Sequence, residues 1–356
     1  MKPFFKHLVL TLTFLTLAAL LPLNAAAQSA DPFENGWTLN ADDSKLRYMS
    51  VKKGNKAETN SFVTLSGLIT ESGKAQIRVL LDSVDTTVDL RNVRMRFLFF
   101  ETFLHPEATI TAQLDPSVLQ DLHNTRRKLI NLDFTLSLHG VTVNKTAEVA
   151  IALINNDRVT VSTTTPIALT LTDFNLEAGR EKLQEAANVT IVPLGIVSFD
   201  FVFDRSSPGT PPNLDLLTAA VAPGSAALEV KGNLDREACI GRFEILSRTG
   251  NIYFAAGSSR LADKSKPLLD NLYDIVNRCP DLRIEIAGHT DSDGSTRTNK
   301  RLSQKRANSV GQYLQSKGIA NGRMQVVGYG EANPLYPNNS SANKAKNRRI
   351  EFSVLN

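Results

Sequence analysis

Residues 128–140 read KLINLDFTLSLHG, and this stretch decides the fold of the first half of the chain. Ile130, Leu132, Phe134, Leu136 and Leu138 alternate with Asn131, Asp133, Thr135 and Ser137. A period of two turns every apolar side chain to one face of a strand. The alternation recurs at Ile77-Val79-Leu81, Ala147-Val149-Ile151-Leu153 and Val197-Phe199-Phe201-Phe203, with shorter versions at Leu46-Tyr48 and Val63-Leu65. Turn formers separate the runs at Glu71-Ser72-Gly73, His139-Gly140 and Asn155-Asn156-Asp157. A short helix is predicted from Glu177 to Ala187. Many one-sided antiparallel strands across residues 31–204 predict a closed barrel or a sandwich. Ile130, Phe134, Leu136, Phe199 and Phe201 then point inward.

The pattern stops at residues 205–227. Pro208, Gly209, Pro211, Pro212, Pro223 and Gly224 mark a linker there. Beyond it the period changes. Asn251 to Phe254 reads as a strand, and Leu268, Leu269, Leu272, Ile275 and Val276 share one helical face. Leu282, Ile284 and Ile286 form a second strand, and a helix follows from about Asn299 to Lys317. Met324 to Val327 and Ile350, Phe352 and Val354 close the sheet. Residues 228–356 are therefore expected to form an α/β sandwich.

The N-terminus carries Lys2 and Lys6, an apolar run from Leu8 to Leu23, and Ala25-Ala26-Ala27 before Gln28. That is the layout of a secretory signal peptide over residues 1–27. The alternative is an uncleaved anchor, but the run is shorter than the roughly 20 residues a spanning helix needs. No cysteine sits at the cleavage site, and no later stretch is apolar enough to cross a membrane as a helix. Cys239 and Cys279 are the two cysteines of the chain. An even count in an exported protein predicts a disulfide; two free buried thiols are the alternative. The net charge of +4 divides unevenly. Residues 1–27 hold +2, and residues 251–356 hold 16 basic and 9 acidic side chains, +7, which leaves 4 − 2 − 7 = −5 for the rest. A basic C-terminal domain suits an anionic polymer, and export argues against nucleic acid.

The informative position is Arg306. On a helical wheel of about 100° per residue it falls within the arc of Leu302, Val310, Tyr313 and Leu314. A guanidinium there must snorkel or find an anion. The preceding loop offers Asp291 and Asp293. An internal Arg306–Asp291 salt bridge and a ligand-binding arginine both satisfy this pattern. No nucleophile motif or glycine-rich phosphate loop is visible, and His105, His123, His139 and His289 are not spaced as a metal set. His139, between a strand and a glycine, reads as a turn residue.

Gly288-His289-Thr290-Asp291, Asn299, Leu302-Ser303, Arg306-Ala307 and Val310 resemble the OmpA-like signature. So do Gly328-Tyr329-Gly330-Glu331, Pro334, Asn338 and Asn347-Arg348-Arg349-Ile350-Glu351. The resemblance implies a βαβαββ peptidoglycan-binding domain. It implies that Asp291 and Arg306 bind diaminopimelate, whose free centre is zwitterionic: a carboxylate pairs its ammonium and an arginine grips its carboxylate. Thr290, Asn299 and Arg348 join the expected site. Asn299 is open between a helix N-cap and a ligand donor. Arg348 and Arg349 are open between glycan contacts and cover for the sheet edge, and His289 is expected to order its loop. One departure is Ala255-Ala256-Gly257 after Phe254, where many members carry an acidic residue and an asparagine. This puts contacts from that loop in doubt.

The first domain is similar to the YceI-like family through Asp82-Ser83-Val84-Asp85-Thr86, Arg91, Phe99-Phe100, Pro106-Glu107-Ala108-Thr109-Ile110 and Leu138-His139-Gly140-Val141-Thr142. The segment from Asn92 to Phe100 departs from the family's usual run. The resemblance implies a lipocalin-like barrel that holds an isoprenoid lipid; a filled barrel core is the alternative. The chain is thus expected to be a non-catalytic periplasmic protein at the cell wall or outer membrane, with peptidoglycan as partner. Three rivals stand beside it: an outer-membrane barrel with a wall anchor, a wall-tethered enzyme, and a motor-stator-like component. Membrane barrels need aromatic girdles, whereas Trp37 and Tyr48 are the whole Trp/Tyr content of residues 31–204.

Overall fold

The computed structural model describes residues 31–210, 212–221, 225–228, 232–249, 252–255 and 257–355. The predicted signal peptide, residues 1–27, lies outside the described residues.

Eight antiparallel strands close a barrel: Trp37–Leu39, Leu65–Ile69, Lys74–Leu80, Glu107–Gln113, Arg127–Leu138, Val141–Asn155, Arg158–Thr163 and Leu194–Arg205, the last returning to the first. The two-residue hairpin at His139-Gly140 has positive φ at both positions, 52° and 77°. Such a turn matches the right-handed twist of the flanking strands, and it sets a register from Leu138 opposite Val141 to Arg127 opposite Ala152. Leu194–Arg205 changes partners along its length. Its first half pairs with Lys45–Lys52 on one side and Ile167–Thr170 on the other. Lys45–Lys52 carries Lys56–Phe62 as its hairpin partner.

Phe134, Leu136, Phe199 and Phe201 are buried and line a cavity of about 420 Å³. Ile130 is partly buried against the same core. Asn131, Asp133, Thr142 and Glu148 face outward and are exposed. The predicted run Val63-Leu65 straddles a break: Val63 is 51% exposed, and the strand begins at Leu65. Leu81 is buried but sits in a 3-10 turn.

Two helical pieces cover the cavity. Glu177–Ala187 forms where it was predicted. The second is a cap made of helix Asp89–Arg94 and a π turn, Met95–Phe99. The cap is anchored by Asn92, whose Oδ1 accepts from the Thr86 backbone N–H at 2.8 Å and from its hydroxyl at 2.6 Å.

Part of the predicted linker is docked rather than free. The turn Asp215–Thr218 lies on strands Leu65–Ile69 and Lys74–Leu80. The buried Arg78, on the outer face of its strand, donates to the Ala219 carbonyl at 2.6 Å and the Leu216 carbonyl at 3.4 Å. The linker backbone thereby adds acceptors to the Glu107 carboxylate, which pairs with Arg78 Nε, as a buried guanidinium requires.

In the C-terminal domain Arg283–His289 is the central strand, parallel to Met324–Gly330 and antiparallel to Ile350–Leu355. Helices Lys266–Arg278, Thr296–Ser316 and Ser341–Asn347 complete the mixed α/β fold. The first expected strand appears only as a single bridge between Phe254 and Leu261, with Asn251 outside the described residues. The flank beside Ile350–Leu355 is instead met by helix Arg236–Thr249. That helix also packs on the barrel's cap. Arg242 donates to Asp89 at 2.7 Å, and Gly241 faces the Leu90 side chain. Cys239 of the helix is bonded to Cys279, with the Cα atoms 6.1 Å apart.

The disulfide closes a loop across a sequence separation of 40. Its loss should cost about 3–4 kcal/mol, the loop-entropy value for that length. Urea unfolding of the parent with and without reductant should show this loss. A Cys239→Ser/Cys279→Ser variant should match the reduced parent. A parent midpoint indifferent to reductant overturns the estimate.

Candidate functional site

Strand Arg283–His289 and helix Thr296–Ser316 are brought together by close backbone contact. A Cβ on Gly288 would lie 2.3 Å from the Ser303 carbonyl oxygen, and one on Gly328 would lie 2.2 Å from the Gln304 nitrogen. Both positions therefore require glycine. Ser303, fully buried, accepts from the Gly330 N–H at 2.9 Å and locks helix to sheet.

The strand exits into Thr290 and Asp291. Both are buried, and Thr290 is held by its N–H to the Gly330 carbonyl at 2.9 Å. The Thr290 hydroxyl is buried without a hydrogen-bond partner. Asp291 accepts from the Asp293 N–H at 3.1 Å and from Arg348 Nη1 at 2.5 Å. The Arg306–Asp291 salt bridge, one of the two alternatives left open by the sequence, does not form; Arg348 takes the carboxylate. Arg348 is 46% exposed and Asp291 9% exposed, so the pair sits at a rim, acid inside and base outside. Arg348 thus stands beside Asp291 at this rim, while Arg349 is buried against Glu351 and the Asn333 carbonyl.

Arg306 lies on the shoulder of the buried helical face, not within it. That face is Asn299, Ser303, Ala307, Val310, Gly311 and Leu314. The placement reflects a face centred on small residues over the strand glycines, a signal that hydrophobicity alone does not give. Arg306 Nε donates to the Ser258 carbonyl at 3.1 Å, and its guanidinium lies 5.1 Å from the Phe254 ring centroid. The loop whose sequence departs from the family therefore positions this arginine. Burial and the charge of Arg348 lower the Arg306 pKa, while Asp291 opposes them. Two arginines thus feel the Asp291 carboxylate.

Asn299 is not the helix cap. Ser295 is, accepting from the Thr298 N–H. Asn299 is buried in the first turn and donates to the Asp291 carbonyl at 3.3 Å and to Glu331. Glu331 also accepts from the Thr296 hydroxyl at 2.8 Å. Sequence reading gave Glu331 and Asn347 no role of their own. Asn347, fully buried, accepts from the N–H groups of Leu335 and Tyr336 and donates to Tyr336 and Asn338. It shapes the loop leading to Arg348. Neither residue takes part in a periodic pattern; both stand in the OmpA-like motifs quoted above, and their spatial partners show what they hold.

His289 orders the strand end by stacking on Tyr329, with ring centroids 5.5 Å apart. Both its ring nitrogens are buried without hydrogen-bond partners. Burial first, and Arg349 second, push its pKa down to about 4, against the pull of Glu351.

The barrel supplies a second candidate region. Its cavity is lined by aliphatic and aromatic side chains and is polar at one end, where Tyr48, Asn60, Glu58, Arg91 and Arg94 line it.

Comparison with known proteins agrees with this division. The model of the YceI-like domain matches residues 37–202, and that of the OmpA family matches residues 253–348. Outer membrane porin F of Pseudomonas fluorescens is 46% identical over 84 residues, 24% of this chain and 26% of the relative. Peptidoglycan-binding protein ArfA of Mycobacterium tuberculosis is 37% identical over 105 residues, 30% of this chain and 32% of the relative. The chain therefore spans about a quarter to a third of these relatives' length. Among solved structures, a polyisoprenoid binding domain from Saccharophagus degradans, implicated in plant cell wall breakdown, is 33% identical with a TM-score of 0.46. The match covers 48% of this chain and 98% of that one.

Two stability predictions follow from the geometry. His289 binds protons more weakly folded than unfolded, so the unfolded state takes up the extra proton between about pH 6.5 and 4. Stability should fall with pH across that window, by on the order of 3 kcal/mol. Urea midpoints at pH 7 and 4.5 should differ less in His289→Gln; an unchanged pH dependence overturns the assignment. Gly328→Ala should destabilise by about 2 kcal/mol or more through overpacking, and a thermal midpoint equal to the parent's overturns the close-contact argument.

Proposed function

Residues 37–202 belong to the YceI-like family and residues 253–348 to the OmpA family, and on that premise we propose that the protein binds peptidoglycan through its C-terminal domain and carries an isoprenoid-type lipid in its barrel. The observation that carries the wall-binding reading is the pairing of Arg348 with the sunken carboxylate of Asp291 at an open rim, with Arg306 near enough to feel that charge. A site with two cations and one anion is complemented by a ligand with a carboxylate and an ammonium. The free centre of diaminopimelate in the peptidoglycan stem is such a ligand. Its ammonium takes a place on Asp291. Its carboxylate is gripped by Arg306 with Arg348 alongside, in charge-assisted hydrogen bonds. The unpartnered Thr290 hydroxyl supplies a further polar contact, and Asn299 keeps the Asp291 backbone in place. ArfA, a relative over this domain, is named for peptidoglycan binding.

The lipid reading rests on the barrel cavity, apolar along most of its wall and of a size typical of ligand pockets. We place the protein in the periplasm, at the wall or outer membrane. Residues 1–27 act as the secretory signal, 31–204 as the barrel, 205–227 as the linker and 228–356 as the wall-binding unit. We assign neither domain a catalytic step. An outer-membrane barrel is disfavoured by the side chains themselves. Asn131, Asp133, Thr142 and Glu148 face outward and the apolar residues inward, the reverse of a lipid-facing barrel.

Asp291→Asn, Arg306→Gln and Arg348→Gln test the wall site in pull-down with diaminopimelate-type peptidoglycan. Each should retain parental thermal unfolding and lose at least about tenfold in binding, the scale of one charge-assisted hydrogen bond. Folded variants that sediment with the wall as the parent does place the site elsewhere. Native mass spectrometry of the purified protein tests the carrier reading. An apolar adduct is expected, and a protein that neither retains lipid nor takes up an added isoprenoid overturns it.

A further inference from the structure

The cap over the barrel cavity is bracketed by two strained residues, Thr87 at φ 60° and Glu101 at φ 47°. A left-handed conformation is unfavourable for such side chains, most of all for a β-branched one. Residues of this kind persist where the surroundings over-determine them, and they cluster at clamps and switch regions. Between them lies the π turn Met95–Phe99, a device found frequently at functional sites.

The two ends of the cap are fastened by different parts of the molecule. At the exit end the barrel's own cover does so. A Cβ on Gly179 would lie 2.8 Å from the Phe99 carbonyl oxygen, so helix Glu177–Ala187 meets the turn through its backbone. Glu101 pairs with Lys182 at 2.9 Å and faces His139 at 3.5 Å. At the entry end, Asn92 ties the cap's base to Thr86, and the remaining contact comes from the C-terminal domain. Asp89 pairs with the buried Arg242 at 2.7 Å, and Gly241 admits the Leu90 side chain, whose Cδ1 would lie 3.1 Å from a Cβ there. Cys239, one turn before Arg242, is bonded to Cys279 at the end of helix Lys266–Arg278. The ion pair to the cap and the covalent tie to the C-terminal domain therefore leave neighbouring turns of one helix.

That helix, Arg236–Thr249, lies outside both family-matched segments, 37–202 and 253–348. The contact is a feature of the joined chain. Asp89, Leu90, Gly241 and Arg242 do not line the cavity, whereas Arg91, Arg94, Met95 and Phe99 of the same cap do. We propose that helix Arg236–Thr249 is a latch through which the C-terminal domain holds the cap closed, and that the cavity exchanges its contents when the cap leaves this helix. The exchange half rests on the lipid-carrier reading; the latch itself does not. Opening strips a buried guanidinium of its carboxylate, which opposes the motion. Weakening that contact raises the open population, with Thr87 and Glu101 as the hinge points.

The test uses the full-length mature protein and two variants that leave the cavity wall intact, Asp89→Asn and Gly241→Leu. The first removes the charge of a side chain 45% exposed, and the second wedges the helix away from Leu90. Hydrogen–deuterium exchange of peptides covering residues 88–100 reads the latch without a ligand. The rate of entry of N-phenyl-1-naphthylamine, an apolar fluorophore, reads the gate by stopped flow. Both variants should exchange cap amides and take up the probe at least about tenfold faster than the parent, the scale of one hydrogen bond to a charged group. Strand Arg283–His289 should exchange as in the parent. Cap amides protected as in the parent, or a strand accelerated as much as the cap, overturn the latch. Faster cap exchange with unchanged probe entry overturns the gating half. A parent that takes up no probe counts against the lipid carrier, and the amide comparison then decides the latch by itself.

Discussion

The arrangement of the two domains depends on one buried cation. Arg242 is 1% exposed and donates to Asp89, the first residue of the barrel's cap helix. A guanidinium withdrawn from water and stripped of its partner costs several kcal/mol, so the helix that carries Arg242 and the cap that carries Asp89 are held together. The cap is consequently packed from both sides. Its inner side, with Arg94, Met95 and Phe99, lines the barrel cavity, and its outer side meets helix Arg236–Thr249. That helix is bonded through Cys239 to Cys279 and leans on the edge strand Ile350–Leu355. One buried cluster therefore runs from Val84 and Phe97 in the barrel to Phe243, Leu269 and Ile286 in the C-terminal domain. The barrel and the α/β sandwich share a continuous core at this junction.

The two candidate regions are built on opposite electrostatic plans. The barrel encloses apolar surface and keeps its few polar side chains at one end. The C-terminal site lies at a rim, where Arg348 remains nearly half exposed and Asp291 is sunk beneath it. Both leave polar atoms without protein partners: Tyr48, Asn60 and Arg94 in the barrel, and the Thr290 hydroxyl beside Asp291. In a folded interior such atoms are exceptions that call for an explanation.

Precision at the rim comes from backbone contact more than from side-chain bulk. Gly288 and Gly328 let helix Thr296–Ser316 rest on the sheet, and Ser303 fastens it to Gly330. The spacing brings Asn299 within reach of the Asp291 carbonyl and of Glu331. Asn347 folds the loop around Leu335 and Tyr336, and Arg348 follows it directly. The charged residues of the site are therefore placed by neutral ones.

Local periodicity determined much of this protein before any coordinates. Alternation at residues 128–140 implied a one-sided strand and hence the barrel. The turn at His139-Gly140 followed from its residue types, and the helix from Glu177 to Ala187 formed as read. The paired cysteines and the unusual place of Arg306 after Asp291 were also legible from residue type and spacing, whereas Thr290, Asn299 and Arg348 were marked only by the OmpA-like resemblance. Tertiary structure alone decided which charge meets which. Arg348, 57 residues beyond Asp291, takes the carboxylate that wheel geometry offered to Arg306, and Arg306 turns to the Ser258 carbonyl and the Phe254 ring. It also decided that part of the linker lies on Arg78 and that the expected strand from Asn251 to Phe254 is reduced to one bridge. The physical reason is one of range. Strand and helix patterns arise from neighbours within a few residues, whereas ion pairs and orphaned polar atoms depend on groups brought together across tens or hundreds of residues, where periodicity carries no information.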